Sequence, residues 1–146
     1  MNSIYTTANF LLRETDYSIS NLRLNRLLYY IYGVHLAMYD KRPWPEELIA
    51  SSFGPIFSKL YNEFKMYGSG RIRHPLIGAS FNIDEDMKSI VNEVINVFGH
   101  LADHQLSSRV HMGPWANTYV YGQEKIINEN VMKEYFKENV LTYENS

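Results

Sequence analysis

One stripe of apolar residues constrains this chain more than any other feature. Leu24, Leu27, Leu28, Ile31, Val34 and Met38 recur at steps of three and four, with His35 on the same stripe. Only a helix brings that spacing to one face, and the run extends over about four turns. Ser18 or Ser20 is placed to cap it. Weaker patterns of the same kind flank it. Ile4, Ala8, Leu11 and Leu12 predict a short first helix. Pro43 and Pro45 end the second, because proline cannot continue a helix. Pro55 is placed to start a third helix over Ile56, Leu60, Phe64 and Tyr67. Asp84 caps a fourth, whose buried face runs through Met87, Ile90, Val91, Val94, Val97, Phe98 and Leu101. Residues 105–121 read as short helical turns broken at Gly113-Pro114. Asn128 caps a last helix with Val131, Tyr135 and Phe136 as apolar residues. Any β structure is confined to small elements near residues 48–53 and 71–83. The expectation is a mainly α, single compact domain of about five to seven helices. It covers residues 1–146, with a core over 4–136 and a polar tail over 138–146.

Composition enters mainly through what it excludes. With 146 residues the chain is one ordinary domain. It contains no cysteine, so disulfides, thiolate metal sites and a cysteine nucleophile are ruled out. No apolar run is long enough to span a bilayer. The start, Met1-Asn2-Ser3-Ile4-Tyr5, lacks the basic and apolar regions of a secretion signal, and a cytoplasmic protein is expected. Fourteen Lys and Arg against sixteen Asp and Glu give a formal charge of −2, which disfavours nucleic acid as a partner. Twelve tyrosines raise the aromatic share to 14%, a bias found at protein interfaces.

Motif chemistry is sparse. His100 and His104 stand at i, i+4, which on one helix would bring two imidazoles to the same face. A metal would need a third ligand from His111 or a distant carboxylate. The intervening Leu101-Ala102-Asp103 does not form an HExxH pattern, and no metal or cofactor is expected. Ser107 and Ser108 precede His111 without a nucleophile elbow, and Gly68, Gly70 and Gly78 match no phosphate-binding loop. Arg23 and Arg26 share one side of the second helix, and Arg71, Arg73 and His74 form a second basic group. Both are solvated faces or contacts for carboxylates or phosphates. His111-Met112-Gly113-Pro114-Trp115 combines a rigid apolar block with a histidine, as a structural latch or an interaction hot spot would.

Three segments, in this order, resemble a known family. They are Leu22-Arg23-Leu24-Asn25-Arg26-Leu27-Leu28-Tyr29-Tyr30, then Glu47 to Ile56 with Gly54-Pro55 and the following Tyr61, then Leu106-Ser107-Ser108-Arg109-Val110-His111 with Pro114-Trp115. The pattern is similar to that of the Panacea domain family, which includes SocA-like antitoxins and the phage-associated protein GepA. Val131-Met132-Lys133-Glu134-Tyr135-Phe136 resembles its closing helix, so the likeness covers about residues 4–136. Arg23, Asn25 and Arg26 stand where the family usually has Lys, Gln and Lys. Val110 replaces a usual Thr, and the short stretch before Pro114 lacks an acidic residue often found there.

The resemblance implies a binding module rather than an enzyme. It implies neutralisation of a cognate toxin by direct binding, with delivery to a ClpXP-type protease as a second mechanism. The residues it marks as partner-binding are Arg23, Arg26, Tyr30, Gly54, Pro55, Tyr61, His111 and Trp115. Two alternatives stand beside it. One is a small enzyme with His111 as general base, partnered by Glu47 or an arginine. The other is a phage protein aimed at a host defence system. Exposed Tyr and Met would also serve a homo-oligomer.

Overall fold

The computed structural model describes residues 3–141, and the last part of the expected polar tail, 142–146, lies outside them. The helix carrying the stripe, α2 (Asn21–Tyr39), is the axis of the molecule. Helices α1 (Ile4–Glu14), α4 (Glu85–Phe98), α5 (Asp103–Val110) and α7 (Glu129–Phe136) pack around it. So do the short α3 (Ser58–Glu63) and the strand β2 (Gly54–Ile56). The remaining helix, α6 (Pro114–Thr118), packs on α7. With β1 (Ile49–Ser51) and β3 (Lys125–Ile126), β2 forms a small antiparallel sheet in the order β2-β1-β3. The architecture is mainly α, as expected.

Encirclement changes what the stripe means. Every residue from Leu27 to Ala37 is buried, so α2 is buried on all sides rather than on one face. Met38, placed on the stripe by spacing, lies past the enclosed portion and is 51% exposed. Leu24, Leu27, Leu28 and Ile31 are fully enclosed, each contributing about 1.5–3 kcal/mol through removal from water. Aromatic rings fill the larger gaps. Tyr30 stacks on Phe98 with centroids 3.8 Å apart, Tyr29 meets Phe136 edge to face, and Tyr32, Trp44 and Phe57 form a second cluster.

The helix ends follow local chemistry. Ser20 Oγ accepts from the Arg23 N–H, Asp84 Oδ1 from Met87 and Asn128 Oδ1 from Asn130 and Val131. Helix α2 stops at Asp40, which takes a left-handed conformation ahead of the proline pair. His35, which shares the stripe, is a buried core histidine: its ring Nδ1 lies 2.8 Å from the Lys41 carbonyl oxygen.

Several elements differ from the sequence reading. Pro55 lies in β2 instead of opening α3, and the segment after Glu63 tightens into a 3₁₀ turn at Lys65–Tyr67. The helix α4 ends at Phe98, so His100 sits in the connection while His104 sits in the first turn of α5. The two imidazoles therefore do not share a helix face. Residues 71–83 form a loop, tied to the N-terminal cap of α2 by an isolated bridge between Ser20 and Arg71. Strand β3 was not signalled by its sequence. In α7 the buried residues are Met132 and Phe136, whereas Val131 is 42% exposed. Residues 137–141, which include the start of the expected polar tail, continue α7 as one wider helical turn with Val140 buried.

Candidate functional site: an aromatic surface at the hairpin tip

Strands β1 and β2 are joined by a two-residue turn, Ser52-Phe53, whose geometry is set by one side chain. Ser51 Oγ accepts from the Phe53 N–H and donates to the Gly54 carbonyl, closing the turn. Gly54 has φ +103°, a region that favours glycine, and its Cα faces the His111 ring. A Cβ there would stand 3.3 Å from His111 Cε1 and Nε2.

The opposite wall is the junction of α5 and α6. His111 Nδ1 lies 2.6 Å from the Ser107 carbonyl oxygen, so that nitrogen carries the proton and donates. The ring meets Trp115 edge to face at 4.5 Å, and Trp115 in turn stacks on Tyr119 at 4.6 Å. The indole N–H of Trp115 donates to the Ser51 carbonyl at 2.8 Å, which locks α6 to the hairpin. On the other side of the turn, Phe53 stacks on Tyr61, and Phe53 remains 49% exposed. The result is a discontinuous aromatic surface: Phe53 and Tyr61, the hairpin tip, then His111, Trp115 and Tyr119.

Two buried amides hold this tip to the core. Asn25 Oδ1 accepts from the Phe57 N–H at 2.9 Å, at the start of α3, where no other side chain caps the helix. Its Nδ2 donates to the backbone and side-chain oxygens of Asn21, whose own Nδ2 donates to the Tyr61 carbonyl. The amide that the family resemblance marked in α2 thus acts as a strut under the hairpin.

The eight residues singled out by sequence divide by depth. Tyr30, Gly54 and Pro55 are buried, so they shape the site from beneath rather than touch a partner across it. Arg23 points inward. Its guanidinium donates to the carbonyls of Gly99 and Leu101 at 2.9 and 2.7 Å and pairs with Asp103 at 2.9 Å. It thereby completes the C-terminal end of α4. Arg26, Tyr61, His111 and Trp115 are partly exposed. Arg26 Nε is enclosed without a hydrogen-bond partner. Burial draws its pKa below the usual arginine value against the opposing pull of Asp103, and Arg23 adds to the lowering. Burial also pushes the Tyr30 phenol well above its ordinary value, leaving a neutral hydrogen-bond donor. Phe53, Tyr119 and the strut Asn21 were missed by the sequence reading. Phe53 lay inside a quoted motif, but nothing in an isolated Ser-Ser-Phe-Gly shows that its ring ends up outside.

The enzyme reading asked for His111 with Glu47 or an arginine as partner. Glu47 is paired instead with Arg42 at 3.0 Å, and Arg42 also donates to the Pro45 carbonyl. His111 leans on backbone and an indole. Among the described residues, no group of three or more His, Asp or Glu side chains is arranged to hold a metal.

Comparison with known sequences supplies the class. A family described as antitoxin SocA-like, Panacea domain, matches residues 24–116, more than half of the chain. The match begins in α2 and ends one residue past Trp115, so it contains both walls of the hairpin site. The chain belongs to the SocA-like Panacea family, and the general role attached to that family is that of an antitoxin. No curated protein and no solved structure matches the chain. No described helix is long and apolar enough to cross a membrane.

Proposed function

We propose that the chain is an antitoxin-type binding module that neutralises a cognate toxin by direct contact across the aromatic surface at the hairpin tip. The observation that carries this reading is that exposed rings are mounted on rigid supports. Trp115 is bolted to Ser51, His111 rests on Gly54, and the Asn21–Asn25 strut fixes the turn beneath Phe53 and Tyr61. Preorganised aromatic contacts lose little entropy on binding and dominate interface energetics. Arg26, partly exposed beside this surface, contributes a cation for a toxin carboxylate. Arg23, Tyr30, Gly54 and Pro55 act as supports of this surface. Delivery of the captured toxin to a ClpXP-type protease is the finer mechanism that family membership supports.

The test is co-expression. The gene adjacent to this one is induced in a host with and without the chain, and partner levels and copurification are followed. Rescue with a stable complex is the expected result. Rescue with falling partner levels and no complex would assign proteolytic delivery instead of blocking. A neighbour that is harmless and does not copurify would overturn the reading.

A further inference from the structure

A cavity of about 450 Å³ lies beside the aromatic surface, in the size range typical of ligand pockets. Its floor is apolar: Val97 and Phe98 of α4 and Val140 of the last helical turn. Tyr30 from α2 and Tyr135 from α7 complete the inner wall. Arg109, Met112 and Asn139 make up the rest of the lining, all three exposed, with Met112 at 60%. Among the described residues Arg109 is the only charged side chain of the lining, and no carboxylate shares it.

We propose that this cavity is an anchor pocket for a segment of the protein partner in which a ring-sized apolar side chain stands beside a carboxylate. The apolar floor takes the side chain. Arg109 pairs with the carboxylate, with the exposed Asn139 amide at the rim beside it. A protein segment is favoured over a free acid because the pocket is continuous with the surface proposed above. Arg109 and Met112 flank His111 in the chain, and the Tyr135 ring covers Gly113 between His111 and Trp115. One segment crossing the aromatic surface would therefore reach the pocket mouth. This inference rests on the binding-module reading.

The probes are two capped dipeptides, acetyl-Phe-Glu-amide and acetyl-Phe-Gln-amide, and 4-phenylbutyrate, titrated into the full chain and followed by amide chemical shifts. Saturable shifts centred on Arg109, Tyr135 and Val140 are expected. The Glu peptide should bind about three- to fivefold more tightly than the Gln peptide, the range of a partly exposed ion pair. Arg109→Gln should erase that difference while retaining apolar binding, and Val140→Trp should fill the cavity and abolish both. No saturable shift at these residues, or equal binding of the two peptides, would overturn the proposal. Tighter binding of 4-phenylbutyrate than of either peptide would overturn it in favour of a free-acid site. The co-expression rescue is read separately. Peptide binding without rescue would keep the pocket and discard the toxin, whereas rescue without peptide binding would keep the toxin and discard the pocket.

Discussion

Tyrosine and phenylalanine crowd two regions of this molecule and do opposite work in them. Around α2, Tyr29, Tyr30, Phe98 and Phe136 meet one another and Tyr32 meets Trp44 and Phe57, and none of these rings is more than 5% exposed. At the hairpin tip, Phe53 and Tyr61 meet only across one short turn, and Trp115 and Tyr119 stack at the molecular edge. The interior set is held by closure on all sides. The surface set is held from below, by hydrogen bonds from Trp115 to Ser51 and through Asn21 and Asn25 to α3. Removing an interior ring should therefore damage stability, and removing a surface ring should damage recognition while leaving the fold in place.

The largest effect is expected at Phe136, whose ring is fully buried against Tyr29 and Tyr30. Phe136→Ala should cost about 3–5 kcal/mol in denaturant unfolding, the range for a large ring removed from a packed core. A loss under about 1 kcal/mol would mean that α7 is not part of the cooperative core.

Next comes the strut that joins the two regions. Asn25→Ala leaves the buried Phe57 N–H and the Asn21 side-chain oxygen without their partner, and each orphaned group costs about 1–3 kcal/mol. Unfolding should show at least one such loss, and amide exchange should accelerate at the start of α3. Unchanged exchange there would detach the hairpin from α2.

The surface set should behave differently. Trp115→Phe keeps an aromatic ring but removes the donor to Ser51, at a cost of about 1 kcal/mol in stability. Loss of toxin binding beyond that expected from destabilisation would mark the hairpin–α6 lock as part of recognition.

The smallest effect is one of pH. Burial, together with the nearby Lys41 charge, lowers the His35 pKa despite its bond to the Lys41 carbonyl and the opposing Asp84 and Asp86 charges. The unfolded chain takes up its proton near pH 6.5, while the folded ring does so only at lower pH. The unfolded state then holds more protons, so this contribution to stability is present above pH about 6.5 and shrinks on acidification. His35→Gln should flatten that slope, and an unchanged slope would assign it to other groups.

Much of the scaffold was legible because helices announce themselves locally. The caps at Ser20, Asp84 and Asn128, the buried face of α1 and that of α4 through Met87, Ile90, Val91, Val94 and Phe98 follow from spacing alone, whereas Val97 is only half-buried and Leu101 falls past the end of α4. What sequence could not show was enclosure. A stripe of six residues looks amphipathic until α4, α5, α7 and β2 surround it, and only then do Tyr29 and Tyr32 count as core. The same limit hid the site. His111 and Gly54 lie far apart in the chain and meet only because the hairpin folds against α5. Arg23, which looked like a free cation at i, i+3 from Arg26, is spent on the α4 terminus because the chain breaks there.

The central claim is that the exposed rings at the hairpin tip carry recognition. It is tested most directly at Phe53, whose ring contact is Tyr61 and whose surface is half open to solvent. The measurement is the affinity of Phe53→Ala for the toxin identified by co-expression, alongside its unfolding midpoint. A loss of about thirtyfold or more, with stability changed by no more than about 0.5 kcal/mol, is the predicted result. Unchanged affinity in a folded Phe53→Ala variant would contradict the account and move the binding surface away from the hairpin tip.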